Sequence, residues 1–130
     1  MNRTIDKFKL WDKKSNNWWD DGFAISENGE ILIPDSDDSY KLADQDQFIL
    51  VHFTGLKDKK GVEIFEGDIV RSRVNAGNDI FENWQNLDEE VYFGGGAFYP
   101  VSMVDTEKEY EVIGNIYENP ELLKVAEDNQ

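Results

Sequence analysis

Cysteine is absent from this chain of 130 residues, and histidine occurs once. The first absence excludes disulfides and thiolate metal sites and suits a reducing compartment. The second excludes centres built on two histidines and leaves His52 as the sole side chain for proton transfer near neutral pH. No apolar run is long enough for a membrane span. Residues 1–10 place Arg3, Lys7 and Lys9 among apolar positions and lead into no signal-peptide core, so a soluble protein that stays where it is made is expected. Hydrolase motifs such as Ser-x-x-Lys and Gly-x-Ser-x-Gly are missing. Gly94-Gly95-Gly96 is followed by Ala97-Phe98-Tyr99 where a phosphate cradle needs Lys-Ser/Thr, so it reads as a flexible turn. Bases are scarce, 13 against 28 acids, and the formal net charge is −15.

Apolar residues make up 39% of the chain, with four Trp, five Tyr and eight Phe, which is enough for an aromatic core and unlike a disordered composition. The length fits one domain, or a small core with an appended subdomain. Charge is uneven. Residues 1–20 hold five bases against three acids, a net +2, and the other 110 residues carry −17. Such a field repels a phosphate backbone, so nucleic acid is a disfavoured partner unless a local basic patch intervenes. The surplus of acid reads first as solubility. The sharper alternative is a surface that mimics nucleic acid or docks on a basic host protein.

Strand signals separated by turns dominate, and the predicted class is mainly β, a β-rich α+β chain. Ile5 to Trp11 reads as an extended amphipathic segment with Phe8 and Leu10 on one face. Phe23 to Glu27 and Glu30 to Ile33 flank Asn28-Gly29, a pair suited to a type I′ hairpin turn. Pro34 to Gln47 is acidic and reads as a solvated loop with at most one helical turn. Phe48 to Phe53 is a continuous apolar run, a strand covered on both faces. Phe81, Trp84 and Leu87 recur at i, i+3, i+6, which fits a short amphipathic helix or an ordered insertion. Tyr110 to Tyr117 is the last strand, with Gly114 marking a bulge or a close backbone approach. Asn119-Pro120-Glu121 then forms a helix start, with Asn119 as the cap and Leu122, Leu123, Val125 and Ala126 as the docking face.

Candidate chemistry is thin. Asp35-x-Asp37-x-Ser39 has the opening spacing of a calcium loop, and Asp46 stands at the twelfth position. Tyr40 replaces the turn glycine, however, and no flanking helices are evident, so a solvated acidic loop is the better reading. His52 shares a strand face with Leu50 and opposes Val51 and Phe53, which favours a structural histidine over a catalytic one. Acidic pairs are too abundant to single out any two. No catalytic residue, metal ligand or cofactor is assigned. The candidate partner-binding residues are Trp11, Lys13, Lys14, Trp18 and Trp19, an aromatic-basic cluster of the kind used in peptide grooves and by single-strand binders, although core packing is the first reading of the tryptophans, ahead of a protein interface and then nucleic acid.

Three blocks carry a family resemblance. Phe53-Thr54-Gly55-Leu56-Lys57-Asp58 through Gly61 to Glu63-Ile64-Phe65-Glu66-Gly67-Asp68-Ile69-Val70 resembles the hallmark of the YopX family of phage and prophage proteins. Phe8 to Lys13 is similar to the family's opening strand, and Tyr110 to Leu122 to its C-terminal signature. The resemblance implies strongly coiled antiparallel sheets, a small barrel-like (SH3-like) C-terminal part with a short C-terminal helix, self-association, and no known activity or cofactor. It implies a single domain over 1–130, divisible into an N-terminal β subdomain, 1–47, and a barrel-like one, 48–130. The functional expectation is a non-enzymatic interaction or assembly module in the infected bacterial cytoplasm, with a host or phage protein or a second copy as partner and no membrane. The alternatives are a nucleic-acid-associated factor in phage replication or transcription, to which Arg71 and Arg73 would add, and an acidic inhibitor of a host protein. A hydrolytic or metal-dependent enzyme is the weakest reading. Segments 14–47 and 71–104 match the family less clearly, and the acidic loop Asp35 to Asp46 and the insertion Asn75 to Glu90 are where features particular to this chain belong.

Overall fold

The structure, a computed structural model, describes residues 7–36 and 38–123. Two compact units divide the chain, Lys7–Val51 and a second that runs from His52 onward.

In the first unit, Leu10 and Trp11 sit on β1 (Phe8–Asp12), which ends on the buried Asp12 carboxylate. Asp12 Oδ1 accepts the Lys14 N–H at 2.9 Å and a Gln47 Nε2–H at 3.0 Å, and Oδ2 accepts the Ser15 hydroxyl at 2.8 Å. This bend, with Asn16 at φ 59, returns the chain antiparallel as β2 (Asn17–Trp18). Strands β3 (Ala24–Ile25), β4 (Ile31–Pro34) and β5 (Tyr40–Leu42) form an antiparallel sheet in that order.

The hairpin at Asn28-Gly29 is present, but the expected type I′ turn is not. Ile25 pairs with Ile31, so the loop spans 26–30 and only Gly29, at φ 81, is left-handed. Ser26 explains the wider loop, because its Oγ accepts the N–H groups of Asn28 and Glu30 at 3.2 and 3.1 Å. The acidic segment also departs from its loop assignment. Tyr40, Lys41 and Leu42 pair with Pro34, Ile33 and Leu32 as an exposed edge strand, a position that needs no continuous apolar face.

Gln45 then completes β4 with a side chain. Its Oε1 accepts the Ile31 N–H at 2.8 Å, and its Nε2 donates to the carbonyls of Ile31 and Ala43 at 2.9 and 2.8 Å. Gln45→Ala is expected to leave the Ile31 N–H without its acceptor, while the Ile31 carbonyl keeps the Ala43 N–H at 3.0 Å, and to lower stability by about 2 kcal/mol, read by urea unfolding. The core of this unit is Leu10, Ile31, Ala43 and Phe48, flanked by Trp19, Phe23, Ile25, Ile33 and Leu50.

Strand β6 (Phe48–Lys57) begins in the first unit and ends in the second, where β7 (Glu63–Phe65) pairs with its far half. Gly55, at φ 87, absorbs the register shift between Phe53 and Leu56. The long β8 (Asp68–Asn75) pairs antiparallel with β9 (Trp84–Glu90). Next come β10 (Tyr92–Gly94) and β11 (Ala97–Tyr99), joined by Gly95 and Gly96 with φ 59 and 88, the two left-handed residues of a tight hairpin. A 3₁₀ turn (Val101–Met103) and the single-turn α1 (Thr106–Glu109) lead to β12 (Glu111–Asn115), which lies on the other side of β8.

Gly114 fills both roles expected of it. The β8–β12 register shifts between Val112 and Gly114, and a Cβ at Gly114 would stand 2.5 Å from Asn119 Oδ1. Ile64, Val70, Val91, Val101 and Tyr110 form this unit's core, with Leu56, Phe98 and Val112 packed against it.

No helix covers Phe81, Trp84 and Leu87. Trp84 and Leu87 lie on β9 opposite Asn75 and Ser72, because pairing with β8 decides the backbone where a three-residue spacing on a polar segment cannot. Residues 121–123 do turn helically after Pro120. Asn119, expected to cap with its side chain, accepts the Asn115 N–H on its Oδ1 at 3.2 Å, while its backbone carbonyl takes the Leu122 N–H. Val125, Ala126, Ile5 and Asp37 lie outside the described residues. The chain is mainly β, with a strongly curled antiparallel half-barrel sheet and only short helices.

Candidate functional site

The aromatic-basic cluster is scattered by the fold. Trp11 is buried and meets Trp18 edge to face across the β1–β2 pair, with centroids 4.9 Å apart, so its ring has no face left for a partner. Lys9 Nζ sits 4.3 Å from the Trp18 ring centre. Trp19 turns inward on Phe48 at 5.2 Å and donates its indole N–H to the Gly22 carbonyl at 2.8 Å. Trp18 and Trp19 line a concavity with Asp12, Asp20 and Asp21, a wall of the wrong sign for phosphate. Lys13 and Lys14 are exposed and share a second concavity with Asp44, Asp46 and Gln47.

Within the second unit, side chains tie the signature blocks together. Asp58, only 2% exposed, accepts the N–H groups of Lys60 and Val62 on Oδ1 and that of Val112 on Oδ2, each at 2.8 Å. Burial pushes its pKa up, but the N–H donors of Val112, Val62 and Lys60 and the Lys60 ammonium outweigh that and hold it below the ordinary aspartate value. One carboxylate thereby ties the hallmark turn to the C-terminal strand. Thr106 adds a second tie, donating its hydroxyl to the Lys57 carbonyl at 2.7 Å. Asn115 Oδ1 accepts the N–H groups of Tyr117 and Glu118 at 3.0 and 2.8 Å and shapes the following turn.

His52 is half exposed rather than enclosed, and its Nδ1 lies 3.3 Å from Glu66 Oε1. Among the described residues no cluster of three or more His, Cys, Asp or Glu could hold a metal ion. None of their helices is long and apolar enough to cross a membrane.

The insertion supplies the most distinctive surface. Beyond Arg71, the partner of Glu111 on β12, the described pairings continue only between β8 and β9, so residues 72–75 and 84–87 make a two-stranded ribbon. Arg71 forks onto Asp88 with its Nε and an Nη at 2.8 and 2.9 Å, and Arg73 approaches the Trp84 ring to 5.7 Å.

The loop at its end is held by two asparagines. Asn75 Oδ1 accepts from the N–H groups of Gly77 and Asn83, and Asn78 Oδ1 from those of Ile80 and Phe81, all at 2.9 Å. On this braced loop Ile80 and Phe81 are 80% and 71% exposed, with Trp84, Val74 and Leu87 exposed beside them. The exposed apolar residues were visible as letters in the sequence, but only the β8–β9 register places Val74, Ile80, Phe81 and Trp84 at one end of a ribbon, with Leu87 at the other end opposite Ser72.

The family model for YopX protein matches residues 7–124. The crystal structure of protein EF1440 from Enterococcus faecalis is similar, with 30% identity and a TM-score of 0.58 over 93% of this chain and 99% of that one. No curated protein matches. The match spans nearly the whole sequence and takes in the Asp58 turn, the β8–β9 ribbon and the Asn115 turn: the chain belongs to the YopX protein family.

Proposed function

We propose that this protein is a non-enzymatic interaction module of a phage or prophage, acting in the bacterial host cytoplasm, and that it self-associates through the tip of the β8–β9 ribbon. A single observation carries the reading: Ile80 and Phe81 stand in solvent on a loop that Asn75 and Asn78 hold in one shape. Exposed apolar surface in a pre-ordered loop is costly in isolation and favourable once covered, by about 1.5–3 kcal/mol for each side chain fully buried. A second copy is the occupant because of charge. In a chain of net charge −15, residues 74–81 contain one acid and no base, so two tips meet with little like-charge repulsion and a two-fold contact brings the same patch from each side.

The nucleic-acid alternative loses support from the acids around Trp18, Trp19, Lys13 and Lys14. The family membership supports the phage setting.

Light scattering is expected to give a multiple of the 15.1 kDa chain mass for the natural protein and 15.1 kDa for the double variant Ile80→Ser/Phe81→Ser. Because neither side chain packs in the core, the variant's unfolding should stay within about 0.5 kcal/mol of the natural protein when both are compared at a concentration low enough to be monomeric. A monomeric natural protein, or an oligomer that survives the double substitution, overturns the reading.

A further inference from the structure

Facing one another in the second unit are His52 and Glu66 on one wall and Phe93 and Phe98 on another, around a concavity of about 310 Å³. The volume lies at the low end of ligand pockets, enough for one side chain and too little for a cofactor. Its walls are mostly apolar. Phe93 and Phe98 are cross-strand partners on β10 and β11, packed edge to face with centroids 4.9 Å apart. Phe98 is anchored on the core, whereas Phe93 is half exposed, so the aromatic wall is fixed at its base and open at its rim.

Set against it, the Glu66 carboxylate lies 3.3 Å from His52 Nδ1, long for a hydrogen bond between such groups. Glu66 belongs to a wider acidic field. The partly buried Tyr117 hydroxyl is pushed up first by burial and then by the charges of Glu66, Glu90 and Asp68. The slot thus combines aromatic walls with one carboxylate, in a protein whose net charge of −15 draws basic molecules toward it.

The geometry points to this slot as the binding site for an arginine side chain of a basic partner protein, with the guanidinium stacked on Phe93 and Phe98 and its N–H fork directed at Glu66. Arginine suits the walls better than lysine. Its planar, weakly hydrated head stacks on aromatic faces and pairs with a carboxylate through two parallel bonds, whereas an ammonium is a compact charge that holds its water. A protein-borne arginine also presents its guanidinium alone, whereas the free amino acid brings an α-ammonium that competes for Glu66 and an α-carboxylate that Glu66 repels. The site shares no residue with the ribbon tip, and it stands or falls independently of self-association.

The test is a titration of the full chain, followed by amide NMR shifts, with a blocked Gly-Arg-Gly peptide, its citrulline counterpart and free arginine. Citrulline keeps the planar shape with an Nε–H and one amino group as donors, but it has a carbonyl oxygen in place of the other amino group and carries no charge. Shifts are expected to concentrate at residues 52, 66, 93 and 98, with the blocked arginine peptide binding at least about tenfold tighter than either comparison ligand. Glu66→Gln and Phe93→Ala should each weaken the arginine peptide about tenfold with unfolding midpoints held, while Asp79→Asn on the ribbon loop should change nothing. Equal binding of the citrulline peptide, tighter binding of free arginine, or insensitivity to Glu66→Gln overturns the assignment.

Discussion

Asp58→Ala is expected to lower the stability of the protein by about 3 kcal/mol, a large part of the 5–15 kcal/mol typical of a natural domain. Three backbone N–H groups lose their acceptor at once. Those of Lys60 and Val62 lie in an exposed turn and recover part of the loss from water, whereas that of Val112 lies in the strand beside β8. Asp58→Asn keeps the shape and one acceptor oxygen but turns an N–H₂ toward donors, so its cost should fall between alanine and none.

The dependence on pH separates the charge from the packing. The Asp58 carboxyl titrates below its unfolded value of about 3.9, so its ionisation contributes stability that is complete above that pH and is lost as the pH falls through the folded value. The gap between the natural protein and Asp58→Asn, measured by urea unfolding, should therefore hold constant from about pH 7 to pH 5 and narrow below about pH 4. A gap that stays constant down to pH 3.5 would assign the effect to shape alone.

Gly67→Ala should cost about as much, for a different reason. Gly67 sits at φ 88, and its N–H and carbonyl are both engaged, by the Val91 carbonyl at 2.8 Å and the Ile116 N–H at 2.9 Å. The backbone cannot swing away, and a Cβ would stand 2.8 Å from Tyr117 Cε2 and 2.9 Å from its hydroxyl oxygen. Left-handed backbone accounts for roughly 1–2 kcal/mol, and displacement of the Tyr117 ring adds a comparable amount. Gly61 provides the control. It has φ 82 but open space around the Cβ position, so Gly61→Ala isolates the backbone contribution and should cost about 1 kcal/mol. Thermal unfolding of the two variants side by side decides the matter, and equal losses would remove Tyr117 from the explanation.

Local chemistry was the legible part of the sequence. Gly95-Gly96, Gly114 and the strands flanking Asn28-Gly29 could be read because a turn or close approach leaves its mark within a few residues. The hallmark glycines likewise read as bends, and Gly55, Gly61 and Gly67 are all left-handed. Partners distant in sequence left no such mark. The Asp58 carboxylate looks like any of 28 acids until Val112 is placed beside it, and β5 and β9 are strands only because β4 and β8 lie next to them. Gln45 is similar, a polar residue in an acidic stretch whose amide replaces strand pairing. As for the site, the aromatic letters allow core packing or partner binding alike, and only the fold shows Trp11 packed on Trp18 and Trp19 on Phe48. The insertion after Asn75 was marked as distinctive, but its ribbon form could not be read from a three-residue spacing.

The loop at the ribbon's end closes upon itself. The four bonds of the Asn75 and Asn78 side chains begin and end between Asn75 and Asn83, and Ala76 and Asn83 bridge its base through a backbone bond of 2.8 Å. A cap built this way is self-sufficient: the letters at positions 79–82 can be rewritten without disturbing the Asp58 tie or the Ile64–Val70 core. The molecule thus keeps its recognition vocabulary apart from its folding grammar, and one scaffold can present many different tips.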